Sequence, residues 1–292
     1  MPETGSTLPR RQLGRYLIEW RTRAGLSQQK AAELLEIGSS SLQRLERGLN
    51  GRVHVRDIQA ACDLYGIPDD LAGFLVLLAR QSSAKTWWYQ VTDRAPIHFN
   101  GYVKLEASAL ELKTFQPQLI PGLLQTEDYV CALFASYPDE TVSEHEGWIQ
   151  LKRQRQNNVT RKLRPLTLSA VVGEAALRRV AGSTQVMAAQ LRHLADMSTR
   201  PNVSIRVLPF SAGFPRGAGN GSFVILEFGT TATGMPTEPT VVYLEGIIGN
   251  MYLEEPTDVA EYHKLHAAIE HAALDAVASR NLIRQIAREH SA

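Results

Sequence analysis

The sequence predicts a mainly helical protein, with an N-terminal domain of five helices and a C-terminal α+β domain of helices and a small mixed β-sheet. Apolar residues recur at helical spacing through the first 80 residues. Between residues 165 and 250, short runs rich in Val, Ile, Phe and Tyr are typical of strands. The length of 292 residues favours about two domains. Because residues 81–85 are small and polar like a linker, we expect domains at 1–82 and 83–292.

Composition excludes several classes of protein. A hydrophobic fraction of 44% and a charged fraction of 21% exclude a disordered chain, a collagen-like chain and a coiled-coil rod. The two cysteines, Cys62 and Cys131, are too few for a disulfide framework and fit a reducing cytosol. The N-terminus lacks the apolar core of a signal peptide, and the apolar stretch at residues 71–79 is too short to cross a bilayer. We therefore expect a cytoplasmic protein with no membrane contact.

Charge is distributed unevenly along the chain. Residues 1–56 contain ten Lys and Arg against five Asp and Glu, a net charge of +5, whereas the whole chain has a net charge of only +1. A basic end on a mildly acidic body is typical of polyanion binding. A solvated helical face is the alternative, and charge alone favours it.

Five helices are predicted in the N-terminal domain. The first carries an apolar stripe at Leu13, Tyr16, Leu17 and Trp20. Ser27 suits an N-cap because its hydroxyl can accept a hydrogen bond from a free backbone amide at the start of the second helix. Gly and Pro residues separate the later segments. The last four helices are expected at about residues 28–35, 39–47, 55–65 and 69–80.

The second and third helices have the features of a helix-turn-helix. Three residues join them, Ala32 is small where the helices cross, and Ile37 is an apolar residue within the turn. The runs Gly25-Leu26-Ser27-Gln28 and Arg44-Leu45-Glu46-Arg47-Gly48 resemble the phage-repressor, or XRE, family over about residues 12–68. The resemblance implies a DNA-binding domain; the alternative is a plain five-helix bundle.

The resemblance also implies DNA-contacting residues. The helix that begins near Ser39 would lie in the major groove, and its exposed positions would read the bases: Ser39, Ser40, Gln43 and Arg44. Glutamine pairs with adenine and arginine with guanine in this mode of recognition. Gln28 is expected to hold a phosphate at the start of the second helix. Weaker phosphate candidates, each equally compatible with solvated surface, are Lys30, Arg52 and Arg11.

Two further features of the resemblance concern structure. Arg21 and Glu46 match a pair that often forms a partly buried ion pair in this family, so we expect them to stabilise the fold without contacting DNA. Glu36 occupies a position where family members often have glycine, which predicts either a left-handed residue or a different turn. Because Gly38 replaces the more usual Ser or Thr cap, Ser39 is the alternative cap residue.

The C-terminal domain mixes helices and strands. Helices are predicted at about residues 102–115, 127–135, 141–159, 174–180, 184–197 and 257–289. Strands are predicted at about residues 166–172, 203–208, 222–228 and 240–244. Thr126 is expected to cap the helix at 127–135. The aromatic run at residues 87–89 is interpreted as a packing anchor, with base stacking as the alternative.

The run YVKLEASALELKTFQPQLIPGLLQTEDYV, at residues 102–130, resembles the domain that follows the XRE module in a large family of actinomycete regulators. Shorter matches follow at residues 203–210, 222–227 and 241–245. Some members are described as antitoxin-like, and many are encoded beside a small partner protein. The resemblance implies a transcription regulator, but it supplies neither catalytic residues nor a ligand.

Other candidate chemistry is weaker. The glycine-rich loop at 213–221 precedes a strand, whereas a phosphate loop precedes a helix, so it is interpreted as a connection. His263, His266 and Glu270 share a helix face without a fourth ligand, so no metal or cofactor is predicted. A basic run is a candidate surface for an acidic partner or an anion, although a solvated face is the favoured interpretation; its members are Lys152, Arg153, Arg155, Arg161, Lys162 and Arg164.

The sequence therefore predicts a transcription regulator that binds double-stranded DNA, with no enzymatic activity. We expect a homodimer on a palindromic operator whose half-sites lie about 10 bp apart. The C-terminal domain would control DNA binding through a small partner protein or a small-molecule effector. The alternative is an antitoxin-like interaction protein that neutralises a small partner and regulates its own operon.

Overall fold

A computed structural model describes residues 7–82, 87–89, 101–135, 142–217, 221–229, 238–246 and 250–291. The chain divides into two compact units, residues 1–101 and 102–292, and each is described by itself. Most of the segment around the predicted boundary after residue 82 lies outside the described residues, and that boundary stays a prediction.

The first unit is helical. Its elements are α1 (Leu8–Arg23), α2 (Gln28–Leu34), α3 (Ser39–Glu46), α4 (Val55–Tyr65), α5 (Asp69–Gln81) and the short strand β1 (Trp87–Tyr89). The apolar stripe of α1 is confirmed, because Leu13, Tyr16 and Leu17 are fully buried. Ser27 caps α2 as expected, since its Oγ accepts a hydrogen bond from the Lys30 amide at 3.1 Å. The side chains of 87–89, and so their predicted packing role, lie outside the described residues.

The second unit contains the α+β domain. Its first helix, α6 (Gly101–Ser108), begins at the division between the units. The other helices are α7 (Glu127–Phe134), α8 (Val142–Thr160), α9 (Glu174–Arg178), α10 (Thr184–Met197), α11 (Pro256–Ala272) and α12 (Ala276–Glu289). The strands are β2 (Glu111–Gln116), β3 (Thr167–Gly173), β4 (Val203–Leu208), β5 (Phe223–Glu227), β6 (Val241–Leu244) and β7 (Asn250–Leu253).

These six strands form a mixed sheet in the order β7-β6-β5-β2-β3-β4. Strands β2, β3 and β4 are parallel, whereas β5, β6 and β7 each run antiparallel to the previous neighbour. As a result, the carboxyl ends of β2, β3, β4 and β6 lie at one edge of the sheet. Helix α11 packs on the sheet, where Ile269 joins a core that includes Phe115, Val171 and Phe223. The predicted fold class is therefore confirmed.

One element prediction was wrong. The helix predicted over residues 102–115 ends at Ser108, because residues 111–116 form β2, which pairs with both β3 and β5. The helical block predicted over 257–289 is confirmed and consists of two helices, since Asp275 separates them and caps α12 by accepting hydrogen bonds from the amides of Val277 and Ala278. Strand β7 was not predicted at all.

The described residues contain no helix with both the length and the hydrophobicity needed to cross a membrane. Within the same ranges, no group of three or more His, Cys, Asp and Glu is arranged to hold a metal ion. His266 is buried and packs edge-on against Phe223, with ring centroids 6.3 Å apart. Burial lowers the pKa of His266.

Candidate nucleic-acid interface

Helix α3 has one buried face and one polar face. Leu42 and Leu45 are buried, as their spacing in the sequence predicts. The four predicted base-reading residues are all exposed: Ser39, Ser40, Gln43 and Arg44. Arg44 donates from Nη2 to the carbonyl of Leu49 at 3.2 Å, so its guanidinium lies against the loop that follows the helix. The polar face of α3 therefore presents hydrogen-bonding groups to solvent, and the opposite, apolar face packs into the core.

The turn between α2 and α3 contains a left-handed residue. Glu36 has φ +55°, which is one of the two alternatives that the missing glycine predicted. The Ile37 amide donates to the Ala32 carbonyl at 3.0 Å, and Ile37 is half-buried within the turn. Gly38 is the N-cap residue of α3 and Ser39 is the first helical residue, so the alternative cap at Ser39 is wrong.

A buried carboxylate joins three helices at the end of α3. Glu46 accepts from Arg21 Nε at 2.5 Å and Nη2 at 3.1 Å, and from Gln28 Nε2 at 2.8 Å. The Glu46 side chain is 2% exposed and that of Arg21 is 13% exposed. The hydrogen bonds to Glu46 raise the pKa of Arg21. Burial and the Glu46 charge together raise the pKa of Tyr65 to about 12.

The geometry of this ion pair is that of a structural contact. Arg21 also donates from Nη1 to the Leu26 carbonyl at 2.9 Å, in the segment between α1 and α2. Glu46 therefore connects the end of α3 to both preceding helices. Charged groups withdrawn from water are stabilising only when they are paired and hydrogen-bonded in this way.

Gly14 was not identified from the sequence. A Cβ atom at this position would lie 2.1 Å from the carbonyl oxygen of Glu46, so α1 and α3 approach at a distance that only glycine permits. The signal was present as a single glycine between Leu13 and the other apolar residues of the α1 stripe. Gly48 makes a similar approach to the backbone of Arg10 and Arg11, and its φ of +68° also favours glycine.

The four predicted phosphate contacts have different surroundings. Gln28 is half-buried and uses one of its two amide N–H donors on Glu46. Lys30 and Glu33 form an exposed ion pair at 3.0 Å. Arg52 is exposed, and Arg11 is half-buried. Gln28 therefore has a structural role beside its predicted contact with DNA.

The basic run predicted as one surface of the second unit does not form a single surface. The prediction was wrong for Lys152 and Arg155, whose side chains point into the domain. Arg155 and Lys152 point inward because one face of α8 packs on its own domain. Arg155 Nε and Nη2 donate to the two oxygens of the buried Glu106 at 2.8 and 2.9 Å. Arg153 forms an exposed ion pair with Glu127. The remaining exposed members of the run are Arg161, Lys162 and Arg164.

Burial changes the protonation of this inner cluster. The Lys152 ammonium donates to Gln125 Oε1, and burial lowers the pKa of Lys152 to about 7. The Glu106 carboxylate keeps the Arg155 guanidinium charged, and the pKa of Arg155 is raised. The Arg155 guanidinium also lies over the Tyr102 ring, 5.4 Å from its centroid.

The run Pro-Gly-Leu-Leu-Gln-Thr-Glu-Asp-Tyr, at residues 121–129, forms the centre of a buried polar network. The Gln125 side chain donates from Nε2 to the Ile120 carbonyl at 2.7 Å, and the backbone carbonyl of Gln125 accepts from Gln156 Nε2 at 2.6 Å. Gln190 donates to the Leu124 carbonyl at 2.8 Å and accepts from the Thr126 amide at 2.6 Å. These contacts were not predicted from the sequence. They show that the run helps to hold the fold of the second unit together.

Comparison with protein families agrees with both units. A helix-turn-helix domain model matches residues 12–74. A model described as a domain of unknown function (DUF5753) matches residues 99–285. No curated protein matches the chain. The helix-turn-helix prediction is confirmed, and because the second match covers more than half of the sequence, the chain belongs to the DUF5753 family, with a helix-turn-helix domain before its family domain.

Proposed function

We propose that this protein is a sequence-specific transcription regulator that reads double-stranded DNA with α3. The exposed face of α3 carries this proposal, because Gln43 and Arg44 have the side chains that read adenine and guanine in the major groove. Buried leucines and the Glu46 network fix the helix behind that face. The match of residues 12–74 to a helix-turn-helix domain supports the same role.

The proposal includes a homodimer on a palindromic operator. A helix of eight residues contacts only a few base pairs, so one copy has little specificity. Helix-turn-helix proteins gain specificity by placing two recognition helices about one turn of DNA apart. We assign no enzymatic activity to the chain, and we place it at the nucleoid in the cytoplasm.

The second unit is proposed to control DNA binding through a small partner protein or a small-molecule effector. Its exposed basic residues, Arg161, Lys162 and Arg164, suit an acidic partner. Antitoxin-like neutralisation of that partner is the competing role. Co-purification of a small neighbouring protein that is toxic by itself would favour the competing role.

The test is fluorescence anisotropy with the full chain and the DNA upstream of its own gene, over a salt series. Gln43→Ala with Arg44→Ala is expected to weaken selective binding at least thirty-fold, because each base contact contributes about 1–3 kcal/mol. The matched control is Arg284→Ala with Gln285→Ala, the same residue types exposed on α12, which is expected to bind like wild type.

The salt series separates base reading from phosphate contacts. Non-specific affinity and its salt dependence are expected to survive in the α3 variant, since both arise from counterion release at phosphates. Equal and weak binding of wild type and the α3 variant to any duplex would contradict the proposal.

A further inference from the structure

A cleft of about 790 Å³ opens at the carboxyl edge of the sheet in the second unit. It lies where β2, β3, β4 and β6 end, at Gln116, Gly173, Leu208 and Leu244. Sheets with parallel strands commonly bind ligands outside the carboxyl ends of those strands. The volume is within the range of small-molecule sites, about 300–1,000 Å³.

Large apolar side chains surround the cleft without being buried. Phe210 is 64% exposed and Phe214 is 74% exposed, and Leu119 is also exposed. Exposed apolar residues are ordinary when scattered, but a group around one concavity indicates a binding surface. The segment that carries Phe210 is fixed, since its amide donates to Glu174 Oε2 at 3.0 Å.

The charge of the cleft is negative. Its described lining contains the carboxylates of Glu174 and Glu245 and no Lys, Arg or His. The Glu174 carboxylate is paired with Arg178 at 2.7 Å, whereas Glu245 is exposed. Lys152 lies within electrostatic reach of Glu245 but does not line the cleft. An exposed carboxylate beside two phenyl rings is suited to a cation.

We propose that this cleft binds a small organic cation with an apolar body. The ammonium group lies near Glu245, and the apolar body packs against Phe210, Phe214 and Leu119. Aromatic faces attract ammonium groups as well as apolar surface, and a carboxylate adds charge pairing. An anionic ligand would meet the exposed Glu245 carboxylate, and the described lining holds no Lys, Arg or His to offset its charge. The inference rests on the proposed regulatory role, because it names the chemical class of the effector.

The test measures ligand binding directly, with the full chain and without DNA. Three probes share one body and differ in charge: 4-phenylbutylammonium, 4-phenylbutanol and 4-phenylbutyrate. Ligand-detected NMR titration is expected to give at least threefold tighter binding of the ammonium probe than of the butyrate. Phe210→Ala with Phe214→Ala is expected to lower the affinity for the ammonium probe about tenfold. Glu245→Gln is expected to remove the preference for the ammonium probe and to leave the affinity of the alcohol unchanged.

The substitutions are chosen so that they do not disturb the fold, and the control has the same exposure. All three substituted side chains are exposed, so circular dichroism and the melting temperature are expected to stay at wild-type values. Val277→Ala is the control, because Val277 is also 64% exposed but lies on α12 outside the lining. Ammonium binding equal to or weaker than butyrate binding would overturn the proposal. Binding that neither the phenylalanine nor the Glu245 variant changes would overturn it too.

The outcome is independent of the DNA experiment. If the ammonium probe does not bind but the operator does, this ligand class is rejected and the regulator proposal stands. Ammonium binding with no selective DNA binding rejects the regulator and leaves the cleft as a binding site.

Discussion

Glu36 holds a backbone conformation that its side chain disfavours. Its φ of +55° places it in the left-handed region, which is unfavourable by about 1–2 kcal/mol for residues other than glycine. The residue is exposed in the turn directly before α3. Its carboxylate also adds a negative charge directly before the helix that we propose contacts DNA.

Replacing Glu36 tests the strain and the charge separately. Glu36→Gly is expected to raise the free energy of unfolding by about 1 kcal/mol, because glycine adopts this conformation without a Cβ clash and loses part of that gain to a more flexible unfolded chain. Glu36→Gln is the control, since it removes the charge and keeps the strained side chain. Chemical denaturation measures both, and a glycine variant no more stable than the glutamine variant would contradict the argument.

At the scale of elements, one buried carboxylate connects α3 to the two helices before it. Glu46 lies in the last turn of α3 and contacts side chains from α1 and from the start of α2. The Gly14 approach brings the backbones of α1 and α3 together at the same place. The Glu46 network and the Gly14 approach therefore hold α1, α2 and α3 together.

Breaking the network from one side leaves an unpaired charge. Glu46→Gln is expected to lower the free energy of unfolding by about 2–3 kcal/mol, somewhat less than for a fully buried pair because Arg21 is partly exposed. Arg21→Met in the Glu46→Gln background is expected to cost much less than Arg21→Met alone. A double-mutant cycle by urea denaturation measures this coupling, and additive losses would show that the two residues do not stabilise each other.

Elements that local sequence signals determine could be predicted, whereas elements that depend on contacts with distant parts of the chain could not. The bounds of α4 and α10 were predicted because local apolar spacing and stop signals decide them. Strand β2 was missed because its conformation comes from pairing with β3 and β5, which are far away in the chain. The division of the basic run was missed for the same reason: Glu106, the partner of Arg155, lies 49 residues earlier.

At the scale of the whole molecule, the second unit contains charged side chains in its interior. Arg155 and Lys152 lie side by side in its interior, with one fully buried carboxylate, Glu106. A buried lysine without a carboxylate hydrogen-bonded to it favours its neutral form, because burial penalises the charge. The stability of this unit should therefore depend on pH in a range where most surface lysines do not titrate.

Lys152 predicts the direction of that dependence. Its pKa is about 7 in the folded chain, well below the ordinary lysine value of about 10.4 that it regains on unfolding. Between these values the unfolded chain binds one proton more than the folded chain, so the free energy of unfolding is expected to rise with pH, by at most about 1.4 kcal/mol per unit. Denaturation from pH 7 to 8.5 measures the slope, below the range in which tyrosines ionise. Cys62, whose pKa burial raises to about 11, lowers the slope equally in wild type and in both variants, so each variant is compared with wild type. Lys152→Met is expected to flatten the slope and Lys162→Met, an exposed lysine near the end of the same basic run, to preserve it. If the two variants kept the same slope, Lys152 would be charged in the folded protein and the assignment would be wrong.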